Sequence, residues 1–374
     1  MNIVLTGSST GGHFYPLVAV AQALRERSRE ERIVKLELTL MGVRPPESAL
    51  LSEYDIKFKE VPAGKLRRYF SLLTFGDTFR TLHGVAKALF LFTMRPPDVV
   101  FAKGGYDTFP ILLASRLFRI PVAIHESDAV PGMVNRWAAS FAARIAVAFP
   151  ATSAFFPKEK TAVVGNPIRK NVLGGSRDEG LAFFHLRSDV PTVLVLGGSQ
   201  GARPLNDALV PILPEALEHI QIIHQCGSNL YAEVKAESGV VLEKSPLHAR
   251  YHLFPFLKAG ELRHAASAAD IVVARAGSML FEIAAWQIPA ILIPLSHAAQ
   301  DHQRENAYQY ARSGAAEVIE EENLKPNLLL AEIRQLFADK DRMGEMRIAA
   351  QKFARLDAAD KIASELLKLG VHDE

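Results

Sequence analysis

One carboxylate in the second half of the chain has a position that suits sugar chemistry. The apolar run Ile271–Ala274 predicts a buried parallel strand, and residues 276–278 predict a turn of small residues before a helix. Glu282 would then lie on the first turn of that helix, where a carboxylate can accept hydrogen bonds from two neighbouring sugar hydroxyls. The alternative is that Glu282 only offsets the positive end of the helix dipole, which is worth about 0.3–1 kcal/mol.

Two glycine-rich loops follow predicted strands, at residues 6–13 and 197–202. Glycine lets a backbone approach an anion at a helix start, so both loops suit a diphosphate, although each alone could be a tight turn. Neither loop has the G-x-G-x-x-G spacing of dinucleotide-binding proteins, which disfavours a nicotinamide oxidoreductase, and no G-K-[ST] follows to make a P-loop. With one loop in each half, one can hold the phosphates of a donor while the other faces an acceptor.

Further polar groups follow other strands of the first half. His13 ends the first loop, where it can be a cap, a general base or a diphosphate ligand. The segments 103–106 and 125–128 should meet it at the same edge of the sheet. A metal site at His125, Glu126 and Asp128 is disfavoured because adjacent residues on one loop rarely all point inward.

Two more polar segments each have a functional and a structural interpretation. The loop 297–307 suits sugar hydroxyls, and its Asp301 is also a candidate helix cap. The Asp-x-Asp string 339–341 resembles that of metal-dependent sugar transferases, but no strand precedes it and a helix cap is the better interpretation. We expect no metal and no cofactor.

The elements that position these residues alternate between strand and helix. Apolar runs that predict strands lie at residues 3–5, 36–41, 98–102, 121–124, 144–148, 191–196, 220–224, 271–274 and 290–294. This alternation predicts an α/β protein with parallel sheets covered on both faces, and ligands at the carboxyl ends of the strands. We expect two doubly wound halves facing across a cleft, residues 1–166 and 167–349, with a linker within 166–189. A C-terminal helix at about 350–374 should pack back on the first half.

Composition excludes several classes of protein. The chain has 374 residues, 49% of them hydrophobic, and a net charge of +2, so no global basic field indicates nucleic acid. Its single cysteine, Cys226, excludes an internal disulfide and fits a reducing compartment. The first residues predict a strand and not a signal peptide, and no apolar run is long enough to span a bilayer.

Residues from Lys65 to Phe92 mix cations with bulky apolar side chains. Such a mixture suits an anionic lipid interface, and the alternative is an ordinary helix core with basic ends. The residues concerned are Lys65, Arg67, Arg68, Phe70, Phe75, Phe79, Leu82, Leu89, Phe90 and Phe92.

These loops together resemble the MurG family of peptidoglycan glycosyltransferases. The similarity runs from Thr6 to about Ala307, over the motifs at 10–13, 104–106, 125–126, 164–169, 197–202 and 301–303. It implies a GT-B fold of two Rossmann-like domains. It also implies transfer of N-acetylglucosamine, with inversion, from UDP-N-acetylglucosamine to undecaprenyl-pyrophosphoryl-MurNAc-pentapeptide (lipid I), forming lipid II. Peripheral attachment to the cytoplasmic face of the bacterial membrane and a place in cell-wall synthesis, cell shape and division are implied as well, with other cell-wall proteins as candidate partners.

The resemblance also implies roles for individual residues. His13 is our choice of general base, with Glu126 as its competitor. Acceptor contacts are expected at Tyr106, His125 and Asn135. The expected donor-binding residues are Thr10, Gly11, Gly12, Asp128, Arg169, Ser199, Leu257, Glu282 and Gln303. Among them, Arg169 and Ser199 would lie near the diphosphate, Glu282 on the ribose, Leu257 at the uracil and Gln303 on sugar hydroxyls. Asn206 and Arg275 match family positions too.

The chain departs from the family at two positions. Asp128 stands where the family usually has Asn, and a carboxylate would repel an incoming diphosphate unless it were protonated or paired. Arg304 stands where a second glutamine can occur. Two other functions fit much of the pattern: a UDP-sugar epimerase on the same fold, which needs no lipid acceptor, and a non-catalytic scaffold of the cell-wall machinery.

Overall fold

The computed structural model describes residues 1–8, 10–32, 35–45, 47–64, 73–198, 200–296 and 301–371, and for residues 73–75 the backbone alone. The chain forms two compact units. The first unit comprises Met1–Arg169 and Arg355–Glu374, and the second comprises Lys170–Ala354.

The first unit is built on a seven-stranded parallel sheet. Its strands are β1 (Asn2–Thr6), β2 (Glu37–Gly42), β3 (Ile56–Glu60), β4 (Val99–Ala102), β5 (Val122–Glu126), β6 (Arg144–Val147) and β7 (Thr161–Val163), in the order β3-β2-β1-β4-β5-β6-β7. Its helices are α1 (Gly11–Glu30), α2 (Ala49–Glu53), α3 (Leu73–Met94), α4 (Phe109–Leu117) and α5 (Met133–Ala138). The inner strands are mostly buried and apolar, apart from residues near their ends such as His125 and Glu126 of β5, because both faces of the sheet are covered, as in doubly wound folds.

The second unit is built on a six-stranded parallel sheet. Its strands are β8 (Thr192–Leu196), β9 (Gln221–Gln225), β10 (Tyr251–Phe254), β11 (Ile271–Ala274), β12 (Ala290–Leu292) and β13 (Ala316–Val318), in the order β10-β9-β8-β11-β12-β13. Its helices are α6 (Arg177–Phe183), α7 (Arg203–Leu209), α8 (Leu213–Ala216), α9 (Tyr231–Leu242), α10 (Ala259–Ala268), α11 (Met279–Trp286), α12 (His302–Arg312), α13 (Pro326–Ala338) and α14 (Lys340–Phe353).

The last helix belongs to the first unit. Helix α15 (Ala358–Gly370) packs along α1, and its Ile362, Ala363, Leu366 and Leu367 join the core around β1. Helix α14, by contrast, is part of the second unit and packs against α11.

The predicted α/β class is confirmed, and all nine predicted strands are present. The strands that the sequence analysis missed are β3, β7, β10 and β13, and each is an edge of its sheet. The predicted linker within 166–189 is partly wrong, because α6 forms there. Ser176 and Glu179 form a capping box at the start of α6, in which each side chain hydrogen bonds the other residue's backbone N–H.

Candidate active site

Three loops of the first unit begin at the carboxyl ends of neighbouring strands. This side of the sheet is called its strand-end edge. Thr6 of β1 pairs in register with Ala102 of β4, and Ala102 pairs with Ile124 of β5. The residues that follow these strands therefore emerge side by side, as sequence analysis predicted for ligands of a parallel sheet.

His13 is held at this edge by the loop after β4. It lies in the first turn of α1, half-buried, and its Nδ1 is 3.0 Å from the carbonyl oxygen of Gly104 and 3.3 Å from the backbone nitrogen of Ser8. Nδ1 accepts from the N–H of Ser8 in one tautomer and donates to the carbonyl of Gly104 in the other, and the shorter contact with Gly104 favours the second. That tautomer puts the lone pair of the imidazole on Nε2, as a general base requires.

The loop that touches His13 needs glycine. Gly104 and Gly105 have φ values of +88° and +93°, in the left-handed region that side chains disfavour. A Cβ at residue 105 would lie 2.8 Å from the Cβ of Ser8 and 3.2 Å from Cε1 of His13. The close approach of this backbone thus fixes the ring of His13.

Glu126 organises the loop after β5. Its Oε1 accepts from the backbone N–H of Asp128 at 3.0 Å, and its Oε2 accepts from the N–H of Gly132 at 3.0 Å and from Nδ2 of Asn135 at 2.9 Å. Burial and the neighbouring charge of Asp128 raise the pKa of Glu126. Both oxygens are engaged in shaping the loop, so the geometry favours His13 over Glu126 as the base.

His125 and Asn135 lie beneath the same loops. The imidazole of His125 is fully buried, and its Nε2 is 2.8 Å from the carbonyl oxygen of Gly165, to which it donates. Burial, with a contribution from the charge of Lys103, holds the pKa of His125 well below its usual value. Asn135 is also buried and donates to the carbonyl of His125. Both residues are therefore buried beneath the loops and support them.

Tyr106, Asp128 and the start of α1 are more accessible. Tyr106 begins a short 3-10 helix after Gly105 and is half-buried, and burial together with Asp107 raises its pKa to about 12. Its hydroxyl is therefore neutral at physiological pH. Thr10 is the N-cap of α1 and Gly11 and Gly12 are its first residues, so this helix start faces the strand-end edge.

The second unit repeats this arrangement. Ala274 of β11 pairs in register with Leu196 of β8 and with Leu292 of β12, so the loops after these strands share one edge. Glu282 lies in the first turn of α11, as predicted, and only 8% of it is exposed.

Two residues that were predicted to bind the donor already form hydrogen bonds with other residues of the second unit. The backbone N–H of Leu257 donates to Oε1 of Gln225 at 2.9 Å, and Leu257 is buried. Gln303, at the start of α12, accepts from the N–H of Leu295 through its Oε1 at 3.1 Å. Gln225 was not singled out from the sequence, since a glutamine at the end of an apolar strand looks like any strand terminus.

Two arginines of the second unit are paired with acids. Arg275 forms an ion pair with Glu321 and donates to the carbonyl of Ile293 at 3.1 Å. Burial alone would raise the pKa of Glu321, but hydrogen bonds from Ser296 and Arg275 outweigh it and lower the pKa. Arg304 pairs with Glu320 at 3.0 Å.

The remaining predicted residues have different outcomes. Arg169 lies in the first unit, buried, with its guanidinium 3.7 Å from the centre of the Tyr15 ring. Ser199 lies outside the described residues, as do 65–72 of the predicted membrane face. Asp301 is the N-cap of α12 but makes no side-chain cap, so the predicted capping bond is wrong; its φ of +57° gives it a left-handed backbone.

No cluster of three or more potential metal ligands occurs among the residues that the structure describes. Asp339 of the Asp-x-Asp string caps α14 by accepting from the N–H of Arg342 at 2.9 Å, which confirms the interpretation as a helix cap.

Two parallel, doubly wound sheets, each with ligand-type loops at its strand ends, define a GT-B-type glycosyltransferase fold. Residues 3–147 match the glycosyltransferase family 28 N-terminal domain, and residues 192–362 match the family's C-terminal domain. A UDP-N-acetylglucosamine–N-acetylmuramyl-(pentapeptide) pyrophosphoryl-undecaprenol N-acetylglucosamine transferase from Lachnoclostridium phytofermentans is 36% identical over 362 residues, which cover 96% of each chain. The chain belongs to glycosyltransferase family 28 and, within it, to the MurG family. It is an N-acetylglucosaminyltransferase.

Solved structures agree with this assignment. The crystal structure of Acinetobacter baumannii MurG has a TM-score of 0.73 and 26% identity, and the match covers 98% of this chain and 99% of that one. A UDP-GlcNAc 2-epimerase from Neisseria meningitidis, bound to UDP-GlcNAc, has a TM-score of 0.69 over 98% of this chain and the whole of the other. Its identity of 14% shows a shared fold alone.

Proposed function

We propose that the protein transfers N-acetylglucosamine from UDP-N-acetylglucosamine to the MurNAc 4-hydroxyl of undecaprenyl-pyrophosphoryl-MurNAc-pentapeptide. The observation that carries the proposal is the match to relatives of this one named activity along 96% of both chains, through both units. A similarity confined to one unit would leave either the donor or the acceptor unassigned.

The reaction is a single displacement with inversion. Nε2 of His13 takes the proton of the acceptor hydroxyl as its oxygen attacks the anomeric carbon from the face opposite the leaving group. The bond from that carbon to the diphosphate oxygen breaks, and its electron pair leaves with UDP. The donor linkage is α, so the product linkage is β. The transition state is oxocarbenium-like, as in glycoside hydrolysis.

The second unit holds the donor. Glu282 accepts hydrogen bonds from the two ribose hydroxyls, and Gln303 binds hydroxyls of the transferred sugar. The N–H of Leu257 already donates to Gln225. The uracil is therefore recognised through the carbonyl of Leu257, or through its N–H once the hydrogen bond to Gln225 is broken. Charge that develops on UDP is stabilised by the N–H groups of the loop 197–202, with its Ser199. Arg169, the last residue of the first unit before the second begins, adds its positive charge. These groups stabilise the transition state more than the ground state.

The first unit holds the acceptor diphosphate at its strand-end edge. Tyr106 contacts the acceptor directly, while His125, Glu126 and Asn135 act by shaping the loops around it. Thr10, Gly11, Gly12 and Asp128 were expected among the donor-binding residues. Because they lie at the strand-end edge of the first unit, with Thr10, Gly11 and Gly12 at the positive end of α1, we assign them to the acceptor diphosphate instead.

Helix α3 docks on an anionic membrane surface. It exposes Phe79, Leu82, Phe90 and Met94 at helical spacing, with Phe79 72% and Phe90 62% exposed. Arg80, Lys87 and Arg95 lie on the same helix or just beyond it. Phe92, which the sequence analysis included in this face, is fully buried and belongs to the core instead. None of the described helices is long and apolar enough to cross a membrane.

A transfer assay tests the proposed function. Radiolabelled UDP-N-acetylglucosamine is incubated with the enzyme in chelator, with and without a lipid I analogue, and both the lipid and the sugar nucleotide are analysed. We expect label in the lipid only when the acceptor is present, at a rate that the chelator leaves unchanged. Epimerised donor in the reaction without acceptor would support the epimerase alternative, and no turnover at all would support the scaffold.

A further inference from the structure

A buried lysine lies among the acceptor-side loops without a role in the reaction described above. Lys103 follows β4 directly and precedes Gly104, and only 1% of it is exposed. Its Nζ has no hydrogen-bond partner among the described residues. An ammonium buried in this way is costly unless nearby charges compensate it.

The compensating charges come from the loop after β5. Burial lowers the pKa of Lys103 to about 8, while the carboxylates of Glu126 and Asp128 raise it. The ammonium form therefore still predominates at neutral pH. The other titratable groups of this cluster are His13 from α1 and His125 from β5, and His125 is neutral.

The cluster has an electrostatic difficulty that Lys103 relieves. The acceptor carries a diphosphate, and two carboxylates at its binding edge would repel it. Asp128, on the loop after β5, adds one of these charges. With Lys103 protonated, its positive charge offsets one carboxylate charge of this cluster.

We propose that Lys103 is a positioning residue for the anionic acceptor, whose buried ammonium offsets the carboxylate of Asp128 so that the diphosphate can approach the loops. The inference rests on the proposed function, because it concerns binding of the lipid diphosphate. Lys103 touches no reacting atom and acts through the local charge.

Steady-state kinetics of four variants test this inference. Lys103→Met keeps an unbranched side chain of nearly the same length and removes its charge, and Asp128→Asn removes the opposing charge. The pair is combined in a double variant. Lys158→Met, an exposed lysine of the same unit, is the matched control. Thermal unfolding of each variant is recorded alongside.

We expect Lys103→Met to raise the KM for the lipid I analogue about tenfold, with kcat and the donor KM within about twofold of wild type. Asp128→Asn alone should lower the acceptor KM, and the double variant should return it to within about threefold of wild type. Lys158→Met should change nothing. If Lys103 had only a structural role, removing the carboxylate of Asp128 would not restore the acceptor KM of Lys103→Met.

Three results would overturn the inference: an unchanged acceptor KM in Lys103→Met, a double variant as impaired as Lys103→Met, or an Asp128→Asn enzyme whose acceptor KM is unchanged or higher. The acceptor KM of Asp128→Asn tests the inference even if Lys103→Met does not fold. If the wild-type enzyme transfers no label to the acceptor, the proposed function fails first and the inference falls with it.

Discussion

At the scale of residues, hydrogen-bond partners distinguish His13, the general base chosen from the sequence, from its competitor Glu126. His13 and Glu126 were both candidates for the general base. The carboxylate of Glu126 accepts three hydrogen bonds from its own loop and from Asn135. The short contact of His13 Nδ1 with the carbonyl of Gly104 favours the tautomer with its lone pair on Nε2. Spacing in the sequence shows neither fact, because the partners come from separate loops.

Replacing the base should slow turnover without weakening donor binding. We expect His13→Ala to lower kcat at least about 10²-fold, since general base catalysis typically contributes 10²–10⁴-fold, and to leave the KM for UDP-N-acetylglucosamine within about twofold. The assay is initial-rate transfer to a lipid I analogue, with His219→Ala, an exposed histidine of the second unit, as the control. Near-normal turnover of His13→Ala would remove His13 from this role.

Glu282 should affect the donor alone. A carboxylate that accepts from two hydroxyls contributes hydrogen bonds worth about 1.5–3 kcal/mol, so Glu282→Ala should raise the KM for UDP-N-acetylglucosamine about 10- to 100-fold. The acceptor KM should stay at the wild-type value, and Glu237→Gln, an exposed glutamate on α9, should match wild type in both. An effect confined to lipid I would contradict the ribose assignment.

At the scale of elements, the sequence predicts the inner strands well and the edges poorly. Inner strands such as β8 and β11 are buried on both faces and appear as unbroken apolar runs. The edge strand β3 places Lys57 and Lys59 among apolar residues, a pattern that protects a sheet edge from pairing with other chains, and β7 has three residues. Such strands form because a neighbouring strand offers hydrogen bonds, which a local pattern does not show.

The linker error has a different cause. The Ser176-x-x-Glu179 pattern is a helix-start signal present in the sequence, but the glycines at 174 and 175 directed the interpretation toward a loop.

The exposed face of α3 should control membrane binding. We expect Phe79→Ser with Phe90→Ser to reduce sedimentation with vesicles containing anionic lipid at least about tenfold, since each change removes a bulky apolar contact with the interface. Val240→Ser with Ile348→Ser changes two exposed apolar residues of the second unit and serves as the matched control. Equal sedimentation of the two double variants would show that α3 is not the docking element.

A buried histidine should make the second unit sensitive to acid. His224 lies between Tyr251, 2.8 Å from its Nδ1, and Asn206, 3.1 Å from its Nε2, and burial lowers its pKa to about 3. In the unfolded chain this histidine has its usual pKa of about 6.5. Between pH 3 and pH 6.5 the unfolded chain therefore binds a proton at His224 that the folded chain does not bind. Stability is therefore complete above pH 6.5 and falls as the pH drops, by about 2 kcal/mol at pH 5 from this group.

Calorimetric unfolding at pH 7.5 and pH 5 measures this effect. His224→Gln should lose less stability between the two pH values than wild type does, while His219→Gln should behave as wild type. Equal losses in wild type and His224→Gln would show that His224 does not cause the acid sensitivity.

At the scale of the whole molecule, two similar sheets are predicted to divide the reaction between them. The sequence predicted both sheets, since each opens with a strand, a glycine loop and a helix, and it placed Glu282 correctly in the first turn of a helix. His13, predicted to end the first loop, lies instead in the first turn of α1, which begins at Gly11. It could not predict which groups are already paired, such as Leu257 with Gln225 or Arg275 with Glu321, because these partners lie far apart along the chain.

The location of the nucleotide tests this division most directly. A crystal structure of the protein soaked with UDP should show the nucleotide at the strand-end edge of the second sheet, with its ribose hydroxyls within hydrogen-bond distance of Glu282. Uridine diphosphate bound at the strand ends of the first sheet, with Glu282 untouched, would contradict the account.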